Sequence, residues 1–282
     1  MTPAPLAALF RGHPEWAPWL RVLEGALQAA GEEAWTAAVP PLDEAGAGPR
    51  LAGATLAVDD AVGARLVRDL ARRAGVRDAA ALGARALAVL EAAINQDITR
   101  LEALAADAGA DTGTVHAIAP AIALPLLLAC GQAWAGRTRA DWAHGYCPTC
   151  GAWPALAEAR GLERSRQLRC GRCGGDWPTQ WLRCPYCGMA EHVRLGSLVP
   201  TEGGESRKVD ICLACGAYVK TLTVLTACPP AEVALRDLES VDLDLAALER
   251  GYQRPPGPGR PLGVRLVAHA RPGRLRRLFA SA

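Results

Sequence analysis

YCPTCG, residues 146–151, sits just past the midpoint of a 282-residue chain. Alone it admits a redox pair, a disulfide or half of a metal site, and the rest of the chain chooses among them. The pattern returns three times: Cys170/Cys173 in LRCGRCGGDW (168–177), Cys184/Cys187 in RCPYCG (183–188) and Cys212/Cys215 in CLACGAYVKTL (212–222). A C-x-x-C step lets one tight turn aim two thiolates at a single ion while backbone N–H groups face the sulfurs. Gly151, Gly174, Gly188 and Gly216 each follow a second cysteine, where the turn calls for the positive φ that glycine adopts freely. One such pair is weak evidence, whereas four with glycines in register specify metal knuckles.

The segments between knuckles group the cysteines. Residues 151–169, GAWPALAEARGLERSRQLR, read as strand, turn at Arg160-Gly161, strand; residues 188–211 read the same way, with the turn near Glu202-Gly203-Gly204. A hairpin returns the chain to its start. The predicted ligand sets are therefore Cys147, Cys150, Cys170, Cys173 and Cys184, Cys187, Cys212, Cys215, two metal ions in all; an interleaved cross-brace is the alternative. Four thiolates leave no position for water or substrate, so such a site is structural or, with iron, passes single electrons. Spacing does not separate iron from zinc. Cys130, at the end of an apolar stretch, reads as a core thiol and Cys228, beside two prolines, as a spare cysteine. The five histidines lack ligand spacing, and only His144 stands near a knuckle.

Outside the cysteines the chain reads as helical. Leu87, Leu90, Ile94, Ile98, Leu101 and Ala105 recur at helical spacing between an Asp78 cap and Gly109, which predicts one long helix. Further helices are expected over about 59–74, over 114–134, and before Gly31 around Trp16, Trp19, Leu20, Leu23 and Leu27; EAGAGPRLAG (44–53) reads as loop. The expected organisation is multidomain: an all-α helical bundle over 1–142, two small β metal modules over 143–182 and 183–225, a C-terminal helix over 226–254, and a flexible Pro/Gly/Arg-rich tail over 255–282.

Charge bears on function. The chain carries +2, but six arginines and no acid lie from Arg260 onward, leaving residues 1–259 at −4. Residues 143–225 hold ten Arg/Lys and seven Asp/Glu; with eight thiolates and two divalent ions they come to −1, which is no basic footprint for nucleic acid. Trp177 and Trp181 beside the knuckles are read as packing, with base stacking as the alternative. The N-terminus has no signal-peptide pattern, and the apolar run Ile118–Cys130 is shorter than a bilayer span of roughly 20 residues. A cytoplasmic protein is expected, a setting where cysteine pairs serve metals more than disulfides. No catalytic motif is found, so neither enzyme activity nor a small-molecule substrate is expected.

These residues resemble the FdhE family, accessory (maturation) proteins of formate dehydrogenase. The resemblance is carried by the four knuckle motifs in order, and by LRDLESVDLDLAALERGYQR (235–254), which is similar to the family's closing helix with its terminal Gly-Tyr. It implies a helical domain followed by two rubredoxin-like (zinc-ribbon-like) modules, iron as the metal, all eight cysteines as ligands, and a formate dehydrogenase catalytic subunit as partner. Asp210 and Ile211 stand before the last knuckle, where the family often has an acid; the segment after Tyr252 departs from it. The other classes in view are a rubredoxin-like electron-transfer protein and a zinc-ribbon nucleic-acid adaptor.

Overall fold

Aspartates open the main helices. Asp59 accepts from the N–H of Ala61 at 2.8 Å, Asp78 from Ala81 at 2.9 Å, Asp97 from Arg100 at 3.0 Å and Asp111 from Thr114 at 2.7 Å, satisfying donors that a helix N-terminus leaves orphaned. In the computed structural model, which describes residues 4–42, 46–201 and 206–269, the helical region contains α1 (Ala4–Gly12), α2 (Ala17–Ala29), α3 (Glu33–Ala37), α4 (Asp60–Arg73), α5 (Ala79–Gly83), α6 (Ala86–Asn95), α7 (Ile98–Asp107) and α8 (Thr112–Ala133). The single helix expected over 78–109 is three. Gln96 takes φ of 56° and Asp97 starts a new cap, so the apolar stripe persists while the axis bends twice. Helix α1, and the two-helix start it forms with α2, lie outside the expected elements.

Helix α8 is long and apolar enough by composition to cross a membrane, yet 67% of its apolar window is buried inside the protein. It is the core axis, with α2, α3, α4, α6 and α7 packed against it. Cys130 lies buried in α8, as expected of a core thiol, and burial pushes its pKa up to about 12.

The cysteine region forms one six-stranded sheet. Its strands are β2 (Leu156–Arg160), β3 (Ser165–Arg169), β4 (Asp176–Pro178), β5 (Leu195–Leu198), β6 (Arg207–Cys212) and β7 (Tyr218–Val224), in the order β4-β3-β2-β7-β6-β5. Each module supplies three antiparallel strands, and the parallel pair β2/β7, with Leu156 opposite Lys220, fuses them edge to edge. The turn at Arg160-Gly161 falls where expected, with Gly161 at φ 67°; the turn expected at 202–204 lies outside the described residues.

Two expectations change at the C-terminus. The helix over 226–254 is two short ones, α9 (Val233–Glu239) and α10 (Val241–Leu248). Beyond them, residues 255–269 are no loose extension. They form a strap ending in β8 (Arg265–Ala268), which pairs in parallel with β1 (Thr55–Val58) inside the otherwise helical half. Asn95 fastens the strap through both its amide groups, to Val264 O at 2.8 Å and Val264 N at 2.9 Å, and Glu91 accepts from Leu266 N at 2.7 Å. Residues 270–282 of the expected tail lie outside the described residues.

A buried lysine joins α9 and α10 to the sheet. Lys220 on β7 has no exposed surface, and its Nζ reaches Asp244 at 2.6 Å and Asp237 at 2.7 Å, both also bound by Arg254 at 2.8 Å. Burial would raise the Asp244 pKa, but Arg254 and Lys220 outweigh it and hold the carboxyl below its usual range. A depressed carboxyl stabilises above its unfolded pKa, about 3.9 for Asp, and loses that contribution as pH falls through the folded value. Lys220→Ala is expected to cost about 2 kcal/mol through lost hydrogen bonds to charged groups, with Arg254 left to hold both carboxylates, read as a lower urea midpoint at constant slope. In the intact chain that midpoint should fall as the pH drops below about 4, and the drop should shrink in Asp244→Asn.

Candidate metal centres

All four knuckles close with the same pair of backbone hydrogen bonds. The first cysteine donates its N–H five residues ahead, to Ala152 O, Gly175 O, Met189 O and Ala217 O at 2.8–2.9 Å, and accepts from the glycine four residues ahead at 2.9–3.0 Å. Gly151, Gly174, Gly188 and Gly216 stand at φ 65°, 69°, 76° and 71°, left-handed values that a side chain would strain. The repeated sequence thus folds into a repeated turn, and the turn presents sulfur toward sulfur.

The structure brings together the two sets grouped by the hairpins. Cys147, Cys150, Cys170 and Cys173 form site 1; Cys184, Cys187, Cys212 and Cys215 form site 2, with the sulfurs of each set within 4.8 Å of one another. In site 1, Cys147–Cys173 and Cys150–Cys170 are 3.5 and 3.4 Å apart; in site 2, Cys184–Cys215 and Cys187–Cys212 are 3.8 and 3.7 Å apart. An ion with four sulfurs about 2.3 Å away has a tetrahedral edge of about 3.8 Å, and none of the eight cysteines is in a disulfide. The two clusters could hold two metal ions. Iron and zinc share this geometry.

Electrostatics agree with a dication in each. Burial pushes the Cys147 thiol well above its ordinary range, while hydrogen bonding from the other three sulfurs pulls Cys170 below it. In site 2 burial raises Cys215 to about 11; on Cys212 burial acts the same way, but the N–H groups of Cys215 and Ala214 outweigh it and lower the pKa. Four adjacent sulfurs ionise together only when a cation repays their repulsion and desolvation.

The sites differ in exposure. No site 1 cysteine has exposed surface, and all four belong to the same buried cluster as the helical core. A Cβ on Gly131 of α8 would stand 2.0 Å from Cys173 O, so glycine alone lets the helix back onto this knuckle. Arg172 donates to Ala93 O and Ile94 O at 2.6 and 3.1 Å, capping the end of α6, where carbonyls lack partners. Pro148 O and Thr149 O accept from Arg50 N and Leu51 N at 2.8 and 3.1 Å, and Gly151 O accepts from Arg260 N of the strap at 2.9 Å. Buried Arg169 pairs with buried Glu158 at 2.9 Å and donates to Gly174 O at 3.1 Å and Cys228 O at 2.8 Å. Cys228 contributes backbone there while its thiol stays outside both clusters. In site 2, by contrast, Cys187 and Cys215 are exposed.

Nearby residues settle elsewhere. Trp177 is fully buried, which removes it as a stacking platform. Trp181 is 40% exposed, with Arg166 at 5.4 Å and Lys208 at 5.3 Å from its ring. Asp210 binds Arg166 and Thr221 through one oxygen and Ser197 and Lys208 through the other. His144 is outside both clusters and stacks on Tyr146. Sequence reasoning missed Gly131, Arg172 and the Glu158–Arg169 pair; a glycine inside an apolar helix was the one local signal available.

No protein-family model matches the chain. A protein from Stutzerimonas stutzeri (strain A1501) described as an FdhE homolog is 33% identical over 112 residues, which are 38% of this chain and 35% of that relative. The crystal structure of the FdhE protein from Pseudomonas aeruginosa superposes with a TM-score of 0.56 at 21% identity, over 92% of this chain and 93% of that one. The fold is that of the Pseudomonas aeruginosa FdhE protein. The likeness of fold runs almost end to end, whereas the sequence match to the Stutzerimonas FdhE homolog spans about a third of its length.

Buried and exposed sulfur predict unequal lability. A colorimetric chelator should remove one metal equivalent promptly and a second far more slowly, and Cys187→Ser should abolish the fast phase alone. Gly131→Ala should destabilise the fold by about 2 kcal/mol through overpacking and lower the metal content by the slow equivalent, measured by elemental analysis.

Proposed function

We propose that this chain is a non-enzymatic accessory factor required for active formate dehydrogenase, binding the immature catalytic subunit in the cytoplasm. The observation that supports the reading is the near end-to-end likeness to the FdhE fold, joined to two clusters that bring all eight knuckle cysteines together. Both clusters would be filled by four sulfurs from the protein, which leaves no position at an ion for water or substrate. All eight cysteines are taken as ligands, with iron as the metal by resemblance and zinc as the chemical alternative.

The architecture supports a recognition role. Site 1 ties β3, α8, the 50–54 loop and the strap into one body, so its ion would stiffen the junction between helices and sheet rather than react. Metal binding of this kind is worth on the order of 10 kcal/mol to a small module. Site 2 lies at the other end of the same sheet with two sulfurs exposed. That exposure favours one second reading, a rubredoxin-like electron-transfer protein, since an exposed iron–sulfur centre exchanges electrons with a partner more readily than a sealed one.

Affinity purification of the tagged chain from cells making formate dehydrogenase should capture its catalytic subunit; repeated failure to capture it in either metal state would overturn the accessory reading. Elemental analysis and an absorption spectrum on anaerobically purified protein decide the second: iron with a reversible red chromophore supports it, and a colourless protein with two zinc equivalents removes it.

A further inference from the structure

An aromatic wall runs between the two modules, bordered by site 2 cysteines: Cys184 on one side and Cys187 and Cys215 on the other. Tyr146 and Trp153 have ring centroids 6.3 Å apart, and Trp153 and Tyr186 are 5.2 Å apart. Trp142 extends the wall at 5.4 Å from Tyr146, and His144 stacks on Tyr146 at 4.7 Å. On one side of the wall the chain's own strap, PPGPG (255–259), lies against these rings. Trp153, Tyr186, Pro255 and Pro256 line a hollow of about 510 Å³, and a Cβ on Gly259 would stand 2.5 Å from Tyr146 Cβ and 3.0 Å from the Trp153 ring. On the other side Trp142, Tyr146, Trp153 and Tyr186, with Pro178 and Pro185, line a cleft of about 650 Å³.

We infer that this cleft docks a proline-rich segment of a partner chain in the polyproline II conformation. The first argument is the strap itself, in which a proline–glycine run packs against the same rings from behind. The second is a pair of unspent donors. Trp142 Nε1 donates to Tyr146 O at 3.1 Å and Tyr186 OH to Tyr218 O at 2.9 Å, whereas the Trp153 indole N–H and the Tyr146 hydroxyl have no partner among the described residues. A polyproline II chain presents unpaired carbonyls to such donors and brings little conformational entropy to lose. The third is charge. Asp141 and Arg183 are of opposite sign, a lining with little net charge that suits an uncharged segment and not a nucleic-acid backbone.

The inference concerns the chemistry of the segment and holds whichever protein carries it. Acetylated heptaproline amide, titrated into the full metal-bearing chain and followed by calorimetry and tryptophan fluorescence, should bind saturably. A glycine–serine heptapeptide should not. The double variant Tyr146→Phe/Trp153→Phe keeps an aromatic ring at each position and removes both donors, so it should bind heptaproline at least about tenfold more weakly, the loss expected for two neutral hydrogen bonds together with the smaller ring at position 153. Tyr146→Phe alone, with the same metal content and thermal midpoint as the parent, should show about a threefold loss. No saturation at millimolar peptide, equal binding of the glycine–serine control, or undiminished affinity in both variants would overturn the inference. So would tighter binding of an eight-residue oligothymidylate, which would assign the rings to base stacking. Capture of a formate dehydrogenase subunit together with failure to bind heptaproline would sink this inference and leave the accessory reading standing.

Discussion

Four cysteine sulfurs placed at one buried point cannot all ionise unless a cation stands among them. At site 1 that constraint is extreme, because none of the four sulfurs reaches solvent. The surrounding structure meets it by crowding backbone onto the knuckles. Helix α8 approaches through Gly131, the Arg172 guanidinium takes the spare carbonyls of α6, and the 50–54 loop and the strap bind the first knuckle's carbonyls. The helical half and the first module consequently share one hydrophobic core, and a boundary at residue 142 divides the chain by secondary structure without dividing its packing.

The same constraint is met differently at site 2. Two sulfurs stay in water, which screens their charge, and the neighbouring pocket is lined by Arg183, Lys208 and the buried Arg166 against the carboxylate of Asp210. Four thiolates around a dication leave two negative charges, and the cations of this lining are of the opposite sign. The asymmetry between a sealed site and a solvated one is therefore electrostatic as well as geometric, though both are built from the same turn.

Local chemistry wrote the knuckles, their glycines, the hairpin at Arg160-Gly161 and the aspartate caps into the sequence, and all of these are short-range devices that a single chain displays openly. What sequence did not display were the long-range pairings. The strap's bond to β1 joins residues more than two hundred positions apart, through two strands of four residues each, and its Pro/Gly/Arg composition reads as disorder. The break at Gln96 hid because the apolar period continues across it. The fusion of two modules into one sheet through β2 and β7 left no local mark, since either strand alone looks like an ordinary hairpin arm.

The strap also imposes an order of events. A chain made from its N-terminus exposes β1 and the first knuckle long before residues 260–268 exist to cover them. The last contact laid over the first knuckle, Arg260 N to Gly151 O, and the pairing of β8 with β1 therefore wait on the final stretch of the described chain, whereas the four cysteines of site 2 need nothing beyond Cys215 to meet.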